Sequence, residues 1–207
     1  MKIQVTFDVY DIDKALDIAA QIHDHVHFFQ VSTLLLYRYG IKAIEAFKQR
    51  FPDKPIIADT KIVYRAKEIV QIMSTAQADW VTVMAGTQKD IIQSVCNAAY
   101  NAKMKVMLDL LDSTAPGQSA MEAKIMGVNA LLLHRTTEDK EPSLFAEKWE
   151  MIRGNTELPI FIAGAIDRDN IDYIISLQPE GIVLGSAIIK AENPVQEATF
   201  FATKIAK

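Results

Sequence analysis

Short runs rich in β-branched and other apolar residues recur along the chain, and segments of helical period lie between them. The runs are KIQVTFD, VHFFQVS, PIIADTK, DWVTVMA, KVMLDLL, NALLLHR, PIFIAGA and EGIVLGS, beginning roughly 20 to 30 residues apart. Between them, DKALDIAAQI, IKAIEAFKQRF, AKEIVQIMSTA, QKDIIQSVCNAAYNA and SAMEAKIM place apolar residues three and four apart. Alternation of this kind predicts parallel strands joined by right-handed crossovers, because a parallel neighbour is reached only through a connection long enough to hold a helix. The expected fold is α/β, a (β/α)8 TIM barrel forming a single domain over residues 1–207. An open doubly wound sheet is the competing architecture. It usually has fewer strands and a Gly-rich turn after the first, where this chain has VYDID.

Composition narrows the picture. At 207 residues the chain is shorter than the roughly 250 usual for such a barrel, so its loops must be short. Half of the residues are hydrophobic and 23% are charged, with no Gly/Ser/Pro-rich linker, which fits one packed domain. A net charge of −4 and scattered lysines and arginines give no reason to bind nucleic acid. Cys96 is the only cysteine, which excludes internal disulfides and thiolate zinc sites and suits a buried helix face. The N-terminus runs from Met1 and Lys2 straight into the first strand, and no apolar stretch approaches the roughly 20 residues of a membrane span. A cytoplasmic protein with no membrane partner is expected.

Function in such barrels gathers at the C-terminal strand ends, so the polar residues that close each run are the candidates. These are Asp8, Gln30 and Ser32, Asp59 and Lys61, Asp109, and His134 with Arg135. Asp59 and Lys61 stand two apart and share a side-chain direction, placing a carboxylate and an ammonium together in the barrel mouth. Such a lysine can stabilise an enolate or transfer a proton, and such a carboxylate can bind a sugar hydroxyl or a divalent metal; a structural ion pair is the plainer alternative. His134 has the chemistry for proton exchange near neutral pH, or a purely structural role. The other three histidines alternate in HDHVH before the second strand, on the face that is usually not catalytic. In IAGAID and VLGSAI, Gly164 and Gly185 let backbone approach an anion closely, with helix starts expected to follow; small residues that merely permit tight turns are the alternative.

VTFD, QVST, IIADTK, VMLDLL, IAGAI and VLGSAI together resemble the orotidine 5′-phosphate decarboxylase superfamily over nearly the whole chain. Within it they are more similar to 3-hexulose-6-phosphate synthase than to 3-keto-L-gulonate-6-phosphate decarboxylase. The resemblance implies a small phosphorylated sugar as ligand. Asp8, Asp59 and Lys61 would contact it, His134 would transfer a proton, Gln30 and Asp109 would contribute to binding, and backbone around Gly164, Ala165, Gly185 and Ser186 would hold the phosphate. It implies aldol addition of formaldehyde to D-ribulose 5-phosphate through an enediolate, with Mg²⁺ near Asp59, in a homodimer.

Several residues depart from the family pattern. Gln30 stands where the family has a metal-binding glutamate, and a neutral amide is a weaker Mg²⁺ ligand. Tyr64 stands where the Asp-x-Lys-x-x-Asp motif has a carboxylate that reaches the neighbouring subunit. Ser32 and Leu34 replace a Gly and a Pro after the second strand, and Thr137 in HRTTEDKE fits neither specificity pattern. A sugar-phosphate-binding protein without the chemistry is therefore the alternative to a lyase, as is a related decarboxylase acting on another phosphorylated substrate.

Overall fold

The computed structural model describes residues 1–135 and 142–206, and Thr137 lies outside them. Its parallel strands are β1 (Lys2–Thr6), β2 (Phe28–Val31), β3 (Ile56–Ile62), β4 (Trp80–Met84), β5 (Lys105–Asp109), β6 (Ala130–His134), β7 (Ile160–Ala163) and β8 (Gly181–Leu184). They pair in chain order and β8 closes on β1, Ile3 lying opposite Ile182 and Val5 opposite Leu184. The barrel expected from the alternating pattern is the fold observed, and the open sheet is not.

Helices Ile12–Ile22, Lys42–Arg50, Ala66–Thr75, Lys89–Asn101 and Pro116–Met126 lie where apolar spacing predicts them. Helix Thr33–Tyr39 is an addition that spacing did not reveal. Ser32 caps it, its Oγ accepting from Leu35 N–H at 3.4 Å and donating to Phe7 O at 2.8 Å. Ser32 and Leu34 therefore stand at the start of a helix. Cys96 is buried among core residues, and burial pushes its thiol up to about 11, as expected of an inert core cysteine. No helix among the described residues is long and apolar enough to cross a membrane.

Successive strand residues face opposite sides of the sheet, which separates two apolar clusters. Ile3, Val5, Phe29, Ile56, Val81 and their neighbours pack outward against the helices. Ile57, Met107, Ala130, Leu132, Phe161, Ala163 and Val183 form a second cluster inside the barrel, joined by Phe28 and Trp80. Phe28 meets Trp80 and Phe161 edge-on, at 6.2 and 5.9 Å between ring centres. Gly181 makes room for this plug, since a Cβ there would run into the Phe161 ring. Further along the same alternation the residue type changes: Gln4, Gln30, Asp59, Thr82 and Asp109 are all buried and all polar.

The N-terminal face is closed by a repeated device. An N–H at the start of each odd-numbered strand donates to a side chain just ahead of the next strand. Ile3 donates to His27 Nδ1 at 3.0 Å, Ile56 to Asp79 at 2.7 Å, Val106 to Asn129 at 2.8 Å and Ile160 to Glu180 at 2.7 Å. His27 is thus a structural acceptor. The other two rings of HDHVH turn elsewhere, His23 onto Phe51 and His25 toward Thr199.

An imidazole nitrogen accepts only when unprotonated. Burial, with Lys2 and Lys54 nearby, holds His27 below the usual histidine pKa. A lowered folded pKa means that the unfolded chain binds the extra proton first, so this stability is present above the ordinary histidine pKa and is lost as pH falls through and below it. Wild-type stability to urea should therefore decline between about pH 7 and about pH 5. His27→Asn, which keeps an acceptor of the kind Asn129 supplies, should decline less steeply, and equal slopes would remove His27 as the cause.

Candidate active site

The C-terminal strand ends open onto a cavity of about 460 Å³. Asp8, Gln30, Asp59, Lys61, His134, Gly164, Ala165, Gly185 and Ser186 line it, so most of the residues singled out from the sequence meet in one place. Asp109 lies beneath the cavity rather than in its wall and is fully buried, because its carboxylate is turned toward Lys61, Leu111 and His134.

The chemistry-bearing end is one connected network. Lys61 Nζ lies 2.6 Å from Asp109 Oδ2 and 3.3 Å from Asp59 Oδ1. Asp59 Oδ1 also accepts from Thr82 Oγ1 at 3.0 Å, and Oδ2 from Thr33 Oγ1 at 2.9 Å. Asp109 Oδ1 accepts the Leu111 N–H at 3.0 Å. His134 Nε2 stands 2.9 Å from that oxygen, within range of a charge contact but out of line for a hydrogen bond.

Strand β3 reaches this arrangement irregularly. Its register with β4 shifts between Ala58 and Ile62, and Lys61 adopts a left-handed φ of 45°, which costs a non-glycine residue about 1–2 kcal/mol. Thr82 holds the distortion in place, its Oγ1 accepting the Lys61 N–H at 2.9 Å.

The network settles two charge states. Burial pulls the Lys61 pKa down, but Asp59 and Asp109 outweigh it and the ammonium titrates above its usual range. Burial pushes Asp109 up, but His134 and Lys61 outweigh that and its carboxyl titrates below the usual range. Asp8 goes the other way: burial and the like charge of Asp59 raise it against the pull of Thr6, Lys61 and Ser32.

The opposite wall is backbone. Gly164 has φ 94° and Ala165 φ 43°, and a Cβ at 164 would collide with the Arg135 carbonyl, so that turn needs glycine. Asn170 Nδ2 donates to Ala165 O at 2.7 Å. The helix start expected after Gly164 is not there: the next helix begins at Ile171, and two left-handed residues shape the turn instead. Such a turn tends to gather N–H groups into a concave surface that suits an anion. After Gly185 a short helix, Ser186–Ile189, does follow directly.

The donors available to Mg²⁺ can be tested against the cation's needs. Magnesium takes a near-octahedral oxygen shell with one or two carboxylates. Both Asp59 oxygens are engaged by Thr33, Thr82 and Lys61, and Gln30 Oε1 accepts from Gln4 Nε2. Among the described residues no group of three or more His, Cys, Asp or Glu side chains is placed to hold a metal. An ion held through Asp59 would share that carboxylate with the Lys61 ammonium, 3.3 Å from Oδ1, and Asp8 offers a second carboxylate in the same cavity.

Sequence reasoning passed over Gln4, Thr6, Thr33, Thr82 and Lys190. Gln4, Thr6 and Thr82 had a signal, being polar residues at inward positions of apolar strands. Thr33 had none, since it opens a helix that apolar spacing does not reveal, and Lys190 lies beyond the strand ends, past the short helix expected after Gly185. Tyr64 stands outside the cavity and is 63% exposed.

The family described as orotidine 5′-phosphate decarboxylase / HUMPS matches residues 1–200. The 3-hexulose-6-phosphate synthase of Mycobacterium gastri is 26% identical over 207 residues, covering all of both chains. A crystal structure of 3-hexulose-6-phosphate synthase from Salmonella typhimurium superposes with a TM-score of 0.91 at 27% identity, over 100% of this chain and 99% of that one. A structure of 3-keto-L-gulonate-6-phosphate decarboxylase from Vibrio cholerae gives 0.85 at 20% identity, over 99% and 97%, a likeness of fold.

Removing one partner of a buried charge is costly, and Asp59 only partly replaces Asp109 beside Lys61. Asp109→Asn should therefore lower stability by about 3 kcal/mol in urea at neutral pH. The stability that ionised Asp109 contributes is present above the ordinary carboxylate pKa and is lost as acid protonates it, so the gap should narrow below about pH 4. No deficit at neutral pH would mean that the pair contributes nothing net.

Proposed function

We propose, on the premise that this chain belongs to the orotidine 5′-phosphate decarboxylase / HUMPS family, that it is a sugar-phosphate lyase of the 3-hexulose-6-phosphate synthase type. The reaction is aldol addition of formaldehyde to D-ribulose 5-phosphate. The observation that carries the reading is the Lys61 ammonium, held between two carboxylates at the cavity floor and facing a wall of backbone turns.

In this reading the phosphate lies against Gly164, Ala165, Gly185 and Ser186, and the carbonyl end of the sugar lies over Lys61. His134, in the cavity wall, takes a proton from the hydroxymethyl carbon beside the carbonyl. The C–H electron pair becomes a carbon–carbon double bond, and the carbonyl oxygen takes the charge as an enediolate. Lys61 stabilises that oxygen as the charge develops, in a site already arranged for it. The enediolate carbon then attacks the formaldehyde carbon. A new C–C bond forms, the sugar carbonyl is restored, and the formaldehyde oxygen accepts the proton. Asp8 and Gln30 bind sugar hydroxyls, while Asp109 acts through Lys61 and His134 as a positioning residue.

A second reading is a sugar-phosphate-binding protein without turnover, favoured by the neutral amide of Gln30, which is tied to Gln4. A related decarboxylase acting on another phosphorylated substrate would use the same Lys61. The test is to follow formaldehyde loss with ribulose 5-phosphate, with added Mg²⁺ and with a chelator. Turnover should be seen, and Lys61→Ala should lower it by about 10²–10³-fold. No turnover while ribulose 5-phosphate still raises the melting temperature would replace the synthase with the binding protein.

The same reading pairs the chain with a second copy. Tyr10, Leu34, Tyr37, Val63 and Tyr64 are exposed on segments that follow β1, β2 and β3, and they supply apolar surface beside the mouth. Sedimentation should give twice the 23.1 kDa chain mass, and a monomer at micromolar concentration would remove the pairing.

A further inference from the structure

The charges around the cavity do not suit a phosphate without help. Asp8 and Asp59 line it and Asp109 lies just below, whereas the ammonium of Lys61 is already shared between Asp59 and Asp109. A phosphate monoester carries roughly −1.5 to −2 near pH 7. The backbone turns at Gly164 and Gly185 offer partial dipoles but no full charge. A dianion moved into this space therefore meets a surplus of negative charge unless another cation joins the wall.

The wall contains such a cation. Lys190 lines the same cavity as Gly185, Ser186 and Ile189. It ends the short helix that starts at Ser186, and its N–H donates to Ser186 O at 3.1 Å, one turn from the turn assigned to the phosphate. Its side chain is exposed, and among the described residues it forms no ion pair. The cavity thus holds two lysines in opposite conditions, one committed to buried carboxylates and one uncommitted at the anion end.

We propose that Lys190 supplies the counter-charge for the substrate's phosphate and so sets the preference for phosphorylated over unphosphorylated sugars. The proposal rests on the sugar-phosphate reading of this cavity and adds the residue that makes its charge balance. A flexible, compact ammonium suits the role, since it can follow the phosphate as the ligand settles. Discrimination then divides between the two lysines: Lys61 acts on charge that appears during the reaction, and Lys190 on charge that the ligand brings.

Isothermal titration of ribulose 5-phosphate, ribulose and inorganic phosphate into wild type, Lys190→Ala and Lys190→Arg tests this. Lys190 is exposed, so both variants should keep the wild-type circular dichroism. Lys190→Ala should weaken ribulose 5-phosphate and inorganic phosphate about 10- to 100-fold, leave ribulose unchanged, and be largely rescued by Lys190→Arg. In turnover assays the change should appear in KM with kcat little altered. Wild-type affinity for both phosphates in Lys190→Ala, or no phosphate binding by the wild type, would overturn the proposal. Lys190-dependent binding of inorganic phosphate with no added affinity for ribulose 5-phosphate would uphold Lys190 and sink the sugar assignment alone.

Discussion

An ion moved out of water loses several kcal/mol of solvation unless neighbours replace it, and the mouth of this barrel encloses a lysine together with two buried carboxylates. Much of the local structure follows from that constraint. The Thr33 and Thr82 hydroxyls, the Leu111 N–H and the Lys61 ammonium each supply a bond that water would otherwise make. Strand β3 gives up regular pairing so that Lys61 can turn back toward Asp109, and Thr82 takes the main-chain N–H that the distortion frees. The outcome is a protonated lysine fixed in position before any ligand arrives, the condition under which electrostatic stabilisation is most effective.

The two walls of the cavity use different materials. One is a set of side chains whose roles depend on atom type, so an amide in place of a carboxylate at Gln30 changes what the wall can hold. The other is a pair of main-chain turns whose shape depends on Gly164 and Ala165 adopting left-handed conformations against the Arg135 carbonyl. Backbone presents the same groups whatever the neighbouring side chains are.

The opposite end of the barrel serves stability. Phe28, Trp80 and Phe161 fill the interior there, and His27, Asp79, Asn129 and Glu180 satisfy N–H groups that the strand starts would leave without partners. Division of a barrel into a packed base and a polar mouth lets strand ends carry reactive groups without loosening the core.

Much of this could be read from the chain alone. The alternation of β-rich runs with helical period implies the closed barrel, because eight parallel strands linked by crossovers have few other ways to bury both faces. Residues at the ends of those runs, Asp8, Asp59, Lys61 and His134 among them, were identifiable since a period of two and a known strand direction place them at one mouth. What needed the folded chain was contact between residues distant in sequence. Asp109 withdrawing beneath the cavity, Thr33 and Thr82 satisfying Asp59, Gln4 holding Gln30 and Lys190 lining the cavity all arise from strand stagger, a bulge in β3 and helix placement. Those features are set by packing across the closed sheet, and a linear pattern of apolar and polar residues carries no record of them.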